Sequence, residues 1–230
     1  MSSTIQIGNR VPLEGAEPPK HPRISAFGGS DGFLESGLRR YRLALALWIA
    51  SIVMLFVGFS SAYVVRRGIP TYEAATGAYS PTWEPLRLPI GLLVLNTMLL
   101  IAASGSIELA RRSTAVVHDR TKLAVRSDLL WINVTLVLAV GFLVGQGFAW
   151  FTLRANGSFM TSGARSAFFY VLTGTHALHC TVGVLAVGWI AIRCGQWSAY
   201  KRGMAVDLAA WYLHSMTVLW LYVFGLLIIA

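Results

Sequence analysis

The chain has 230 residues, 55% of them hydrophobic and 13% charged, and a formal net charge of +9. That is too apolar for an ordinary water-soluble domain, in which about a quarter of residues are charged. The basic excess is not a nucleic-acid signature either, because its Lys and Arg residues flank long uncharged stretches instead of forming one basic face.

Residues 1–36 contain no apolar run of the kind a cleaved signal requires. Pro12, Pro18, Pro19, Pro22 and the cluster Gly28-Gly29-Ser30-Asp31-Gly32 predict a largely extended tail. No Lys-Ser or Lys-Thr follows the glycines, so a phosphate loop is not expected. Residues 37–230 then form a membrane domain. Five stretches lack Asp, Glu, Lys and Arg: 43–65, 88–107, 129–153, 166–192 and 208–230. At about 1.5 Å per helical residue, roughly 20 residues cross a hydrocarbon core of about 30 Å, so each predicts a transmembrane helix. The connections are short, and sequential helices are expected to pack as neighbours. The loop 66–87, with Gly68, Pro70, Gly77, Pro81 and Pro85, predicts turns, and 109–126 and 193–206 are basic connections.

Arg10, Lys20, Arg23, Arg39, Arg40 and Arg42 precede the first span. Arg111, Arg112, Arg120, Lys122 and Arg126 follow the second, and Arg193, Lys201 and Arg202 follow the fourth, on the same side. The opposite side holds Arg66, Arg67, Arg87, Arg154 and Arg165. Basic loops resist translocation, so the N-terminus is predicted in the cytoplasm and the C-terminus outside. The same loops favour anionic lipid, which makes Arg111, Arg112, Arg193, Lys201 and Arg202 candidate headgroup contacts.

Within the spans, Gly141 and Gly145 form a GxxxG pair, and Gly174 and Gly183 lie in the fourth span, marking close helix approaches. Trp131, Trp150, Trp189 and Trp211 sit near span ends, where indoles favour the interface, whereas Trp220 lies deeper and is expected to pack on a neighbouring helix. Cys180 and Cys194 are 14 residues apart, about 21 Å along one helix, too far for a disulfide.

Asn96, Gln146, His176, His179 and His214 are polar groups within the spans, and Asp207 stands where the fifth begins, at a helix N-terminus that suits a carboxylate. His176 and His179 share a helix face. A bis-histidine heme needs ligands on opposite sides of the porphyrin, and a di-metal site of the carboxylate kind needs glutamates that the spans lack. Interhelical hydrogen bonding is the better reading. Gln146 and His176 both lie about 25 Å from the inner end, which predicts one polar cluster, with Ser60 or Ser61 as further members.

These residues also carry a resemblance. The run Ala167 to His179, with Phe168-Phe169, Thr173-Gly174, His176 and His179, resembles the FF-x3-TG-x-H-x2-H signature of cytochrome c oxidase subunit III. Asp207 followed by Trp211-Tyr212-Leu213-His214 is similar to the family's E-x3-WYWH segment, and Val218-Leu219-Trp220 to its VVW. Leu95-Asn96-Thr97 with Leu99-Leu100 resembles LNT-x2-LL, and Gln146 with Trp150 its Q-x3-W element. The order holds from about Glu35 to the C-terminus.

The resemblance implies an all-α integral membrane bundle of five helices, the short bacterial form. It implies a non-catalytic subunit III of a heme-copper respiratory oxidase in a bacterial inner membrane. Such a subunit binds the catalytic subunit I, with subunit II in the same complex, and holds phospholipid. Heme and copper are then expected in the partners, with no cofactor, metal or nucleic acid bound by this chain. The sequence departs from the family where Ile52 replaces a common intramembrane glutamate, Asp207 replaces the glutamate before WYWH, and Thr217 stands for an aspartate near VVW. A proton relay through this chain loses support accordingly. Two other readings stay open: the related accessory subunit of nitric oxide reductase, and a stand-alone membrane metalloenzyme using His176, His179 and His214.

Overall fold

The computed structural model describes residues 28–73, 77–80, 89–116, 122–157, 159–160 and 163–229. Residues 1–27 of the expected tail, and parts of the connecting loops, lie outside the described residues. The chain divides after Gly37, and all contacts below lie within the unit Leu38–Ala230.

The elements in order are α1 (Gly28–Gly68), β1 (Thr71–Glu73), β2 (Ala78–Ser80), α2 (Ile90–Val116), α3 (Lys122–Ala155), α4 (Ala164–Arg193) and α5 (Ala199–Ile229). Among the described residues, five helices are long and apolar enough to cross a membrane. Each is longer than its charge-free stretch. Charged residues at a membrane surface end the apolar run without ending the helix, since Lys, Arg and Glu are good helix formers. The part of the tail from Gly28 onward is thus helical, where an extended segment was expected.

The start of α5 shows the same effect most clearly. Ser198 caps it, its carbonyl accepting from the Arg202 N–H at 3.0 Å, and its hydroxyl facing the Lys201 N–H at 3.4 Å. The expected loop 193–206 therefore shrinks to a turn after Arg193, and Asp207 lies inside α5, two turns beyond its first residue. At the other end of the bundle, α3 ends at Ala155, and Gly157 in the turn that follows has the left-handed φ of 78° that helix C-termini use. The loop after α1 closes as a small antiparallel hairpin with Tyr72 opposite Tyr79 and Gly77 in its turn at φ 63°.

Four helices form a closed ring in the order α2, α3, α4, α5, with α5 returning to α2. Small residues set its tightest approaches. A Cβ on Gly145 of α3 would overlap the Asn96 amide of α2. A Cβ on Gly183 of α4 would lie 3.1 Å from the Tyr212 ring of α5, and one on Gly174 would lie 3.9 Å from Trp150 of α3. In α1, by contrast, no described Cα comes within 8 Å of another helix. It reaches α4 and α5 through long side chains: Arg42 to Asp207, Phe56 to His176 and His179, and Tyr63 to Phe168. Sequential neighbours therefore pack as expected from α2 onward, but α1 docks on the last two helices.

Phe56, Phe142, Phe169, Trp220, Leu93 and Ile132 fill the interior. Large apolar side chains also cover the outside, with Leu47, Met54, Val137, Phe151 and Ile192 each at least 70% exposed. A helix apolar on every face belongs in lipid.

Candidate functional site

Among the described residues, polar side chains gather in two regions of the bundle. The first is at its basic end, where α1, α2 and α5 meet. Glu108 of α2 receives Arg111 in a two-pronged bond, Nε at 2.7 Å and Nη2 at 2.9 Å, and Arg112 Nε at 3.0 Å. This spacing of three and four residues along one helix was available from sequence. Arg111 also reaches Asp207 of α5 at 3.3 Å, and Arg42 of α1 reaches the other Asp207 oxygen at 2.9 Å. His214, two turns further along α5, faces Glu108 with Nε2 at 3.5 Å and lies 2.5 Å from Ser104 Oγ through Nδ1. Asp207 is therefore held by two arginines instead of capping a helix N-terminus.

Beside this cluster, Asp128 of α3 is fully buried and Arg202 of α5 is 8% exposed. Arg202 Nε lies 3.3 Å from Asp128 Oδ2, and Ser113 donates to Oδ1 at 2.6 Å. Arg202, a candidate headgroup contact, is thus turned inward onto a carboxylate. Lys201, Arg112 and Arg193 remain exposed, Arg193 with its guanidinium 5.0 Å above the Trp189 ring. Next to the pair sits Cys194, fully buried, just after α4. Burial pushes its thiol pKa up; Arg202 opposes that and Asp128 adds to it. Cys180 and Cys194 are both free thiols.

The second region is the middle of the bundle. His176 is completely buried, with its ring centroid 5.0 Å from Trp220, 5.8 Å from Phe142 and 6.3 Å from Phe56. Its Nε2 is 3.1 Å from Cys180 Sγ. Trp220 donates its indole N–H to Thr97 Oγ1 at 2.9 Å, so its deep position ties α5 to α2 as expected. Trp150 donates to Thr173 Oγ1 at 3.0 Å, joining α3 to α4. Trp211 and Trp189 lie exposed, 56% and 55%, as residues of the outer surface.

The expected polar cluster forms no hydrogen bond between its members. Gln146 is 1% exposed, and neither of its amide atoms has a partner among the described residues; the same holds for His176 Nδ1. Ser60 donates to the Phe56 carbonyl of its own helix. The rings of Phe142, Phe56 and Trp220 stand around His176 instead. His179 donates from Nδ1 to the Thr175 carbonyl of its own helix, and Tyr212 donates to the His179 carbonyl at 2.9 Å. His176 and His179 both meet the Phe56 ring but bond different groups, and His214 belongs to the cluster at the basic end. Among the described residues no three His, Cys, Asp or Glu side chains converge as a metal site.

Residues 25–229 match the family described as cytochrome c oxidase subunit III. The chain is 30% identical over 185 residues to cytochrome c oxidase subunit 3 of Pylaiella littoralis, covering 80% of this chain and 64% of that protein. It thus spans less than two thirds of that relative's length. It is 28% identical to the probable cytochrome c oxidase subunit 3 of Nocardia farcinica, over 78% of this chain and 82% of the other. With the subunit 3 of Thermostichus vulcanus it shares 30% identity, over 81% and 86%. With five membrane-length helices and a match over nearly its whole length, the chain is a multi-pass membrane protein that belongs to the cytochrome c oxidase subunit III family.

Proposed function

We propose that this chain is a non-catalytic subunit of a heme-copper respiratory oxidase, which reduces oxygen and couples that to proton translocation. Its part is to brace the catalytic subunit I, with subunit II in the same complex, and to hold phospholipid. The family match over residues 25–229 carries this reading. The use of the polar side chains supports it. Trp220 and Trp150 bond across helices, and Glu108, Asp207 and Asp128 are neutralised by arginines, so the polar groups serve to fix the bundle. Ile52, where the family resemblance implies a glutamate, is buried and apolar. The heme and copper belong to the partner subunits on this reading.

A groove of about 760 Å³ between α1 and α5 supports lipid holding. Ile49, Val53 and Val57 offer it an apolar wall, and Arg111 and His214 line it as well. An acyl chain suits such a wall, and an anionic headgroup suits the arginine. The basic end would face the cytoplasm of a bacterial inner membrane. Affinity purification through a tag on this chain tests the assignment. The expected result is co-purification of a heme- and copper-containing oxygen reductase; recovery with a nitric oxide reductase, or with no redox partner, contradicts it.

A further inference from the structure

Asn96, Gln146 and His176 stand on three different helices and are 1%, 1% and 0% exposed. Each has side-chain polar atoms with no bonding partner among the described residues: Asn96 Nδ2, Gln146 Oε1 and Nε2, and His176 Nδ1. Other polar side chains of the same interior are spent on protein, as Thr97, Thr173 and Trp150 are. Leaving a buried amide or imidazole atom unbonded costs free energy, so such groups in native proteins are satisfied by protein or by ordered water.

The three lie in one layer. Asn96 presses its amide against Gly145, the residue next to Gln146. Along α3, Gln146 sits one turn from Phe142, whose ring meets His176 at 5.8 Å. It also sits one turn from Trp150, which bonds Thr173, one turn from His176 on α4. Gln146 therefore stands between two of the contacts that join α3 to α4, on the helix that touches Asn96.

We propose that Asn96, Gln146 and His176 hold an internal water site that bridges α2, α3 and α4 near the middle of the bundle. The donors and acceptors fit water. Asn96 Nδ2 and Gln146 Nε2 donate, Gln146 Oε1 accepts, and His176 Nδ1 does either according to its tautomer. Cys180 leaves both tautomers open, because its thiol is both a weak donor and a weak acceptor toward Nε2. Water can serve Nδ1 in both forms, whereas a fixed amide in one orientation serves one. A water bound by three or four such groups is structural and holds its place. The site gives these intramembrane residues a ligand without charge, and it links α2 to α4, which are not neighbours in the ring.

The test is a structure of the intact membrane complex at a resolution that orders internal waters. Density within hydrogen-bond distance of the Gln146 amide and of either Asn96 Nδ2 or His176 Nδ1 is expected. Direct bonds among the three side chains, or a dry layer, overturn the proposal. Thermal unfolding of Asn96→Leu, Gln146→Leu and the double variant gives a second reading. A shared water makes the two losses non-additive, the double variant melting higher than the summed shifts predict. Strictly additive shifts count against a shared site. If the variants do not fold, the density in the wild-type complex decides.

Discussion

At the scale of single residues, the glycines of α3 make the sharpest prediction. Gly145→Ala forces a methyl into the Asn96 amide, whereas Gly141→Ala meets only Leu99 at an ordinary 3.7 Å. Overpacking of the first kind costs about 1–3 kcal/mol, and the second should be nearly neutral. Thermal unfolding of the two variants should separate them clearly, and equal melting temperatures would show that α2 and α3 do not approach as described. Cys194 gives a pH prediction. Its burial raises the folded thiol pKa above the unfolded value, so the unfolded chain ionises first. Its contribution is intact below the ordinary thiol pKa of about 8.5 and is lost as pH rises from there through the folded value. Cys194 should resist maleimide at pH 7 in the folded protein and react after denaturation; rapid labelling of the folded protein would contradict its burial. The GxxxG spacing and the deep position of Trp220 could be read from sequence. The surroundings of His176 could not, because depth along a helix fixes height but not which side chains turn toward it.

At the scale of elements, the five spans were legible from charge-free runs alone, but their ends were not. Lys201, Arg202 and Asp207 continue α5 because a capped helix tolerates charges outside the hydrocarbon. That shift moves Asp207 away from a helix end and brings it to Arg42 and Arg111. The two ion-pair sites should differ in weight. Arg42 and Arg111 have side chains 58% and 40% exposed, so solvent screens their pairing and Asp207→Ala should cost no more than about 1 kcal/mol. Asp128→Ala strands the buried Arg202 charge, a loss of about 3–5 kcal/mol. Unfolding measured by denaturant in the same detergent should rank Asp128→Ala far below Asp207→Ala, and the reverse order would mean that the Asp128 pair is solvated. Pairing between helices was not visible in sequence, since Arg42 and Asp207 are separated by most of the chain.

At the scale of the whole molecule, the ring α2 to α5 and the outlying α1 explain why the family was legible while the docking of α1 was not. The motif residues Asn96, Gln146, His176 and Trp220 all belong to the ring, whose close contacts tie their types to their positions. In α1, Phe56 and Arg42 touch α4 and α5 across a wider gap, and no periodic pattern announces such contacts. The basic loops predict an orientation: reporters fused to the termini should place the N-terminus in the cytoplasm and the C-terminus outside, and a cytoplasmic signal from the C-terminus would contradict it. On the proposed function the chain is a brace whose polar groups hold its own helices together. The most direct test of this function is to purify the oxidase with and without this subunit and to compare heme spectra, copper content, initial rate and activity over many turnovers. Unchanged metal centres with weakened stability or endurance are expected. A heme or copper signal that disappears with the subunit, and returns only when His176, His179 and His214 are intact, would contradict it.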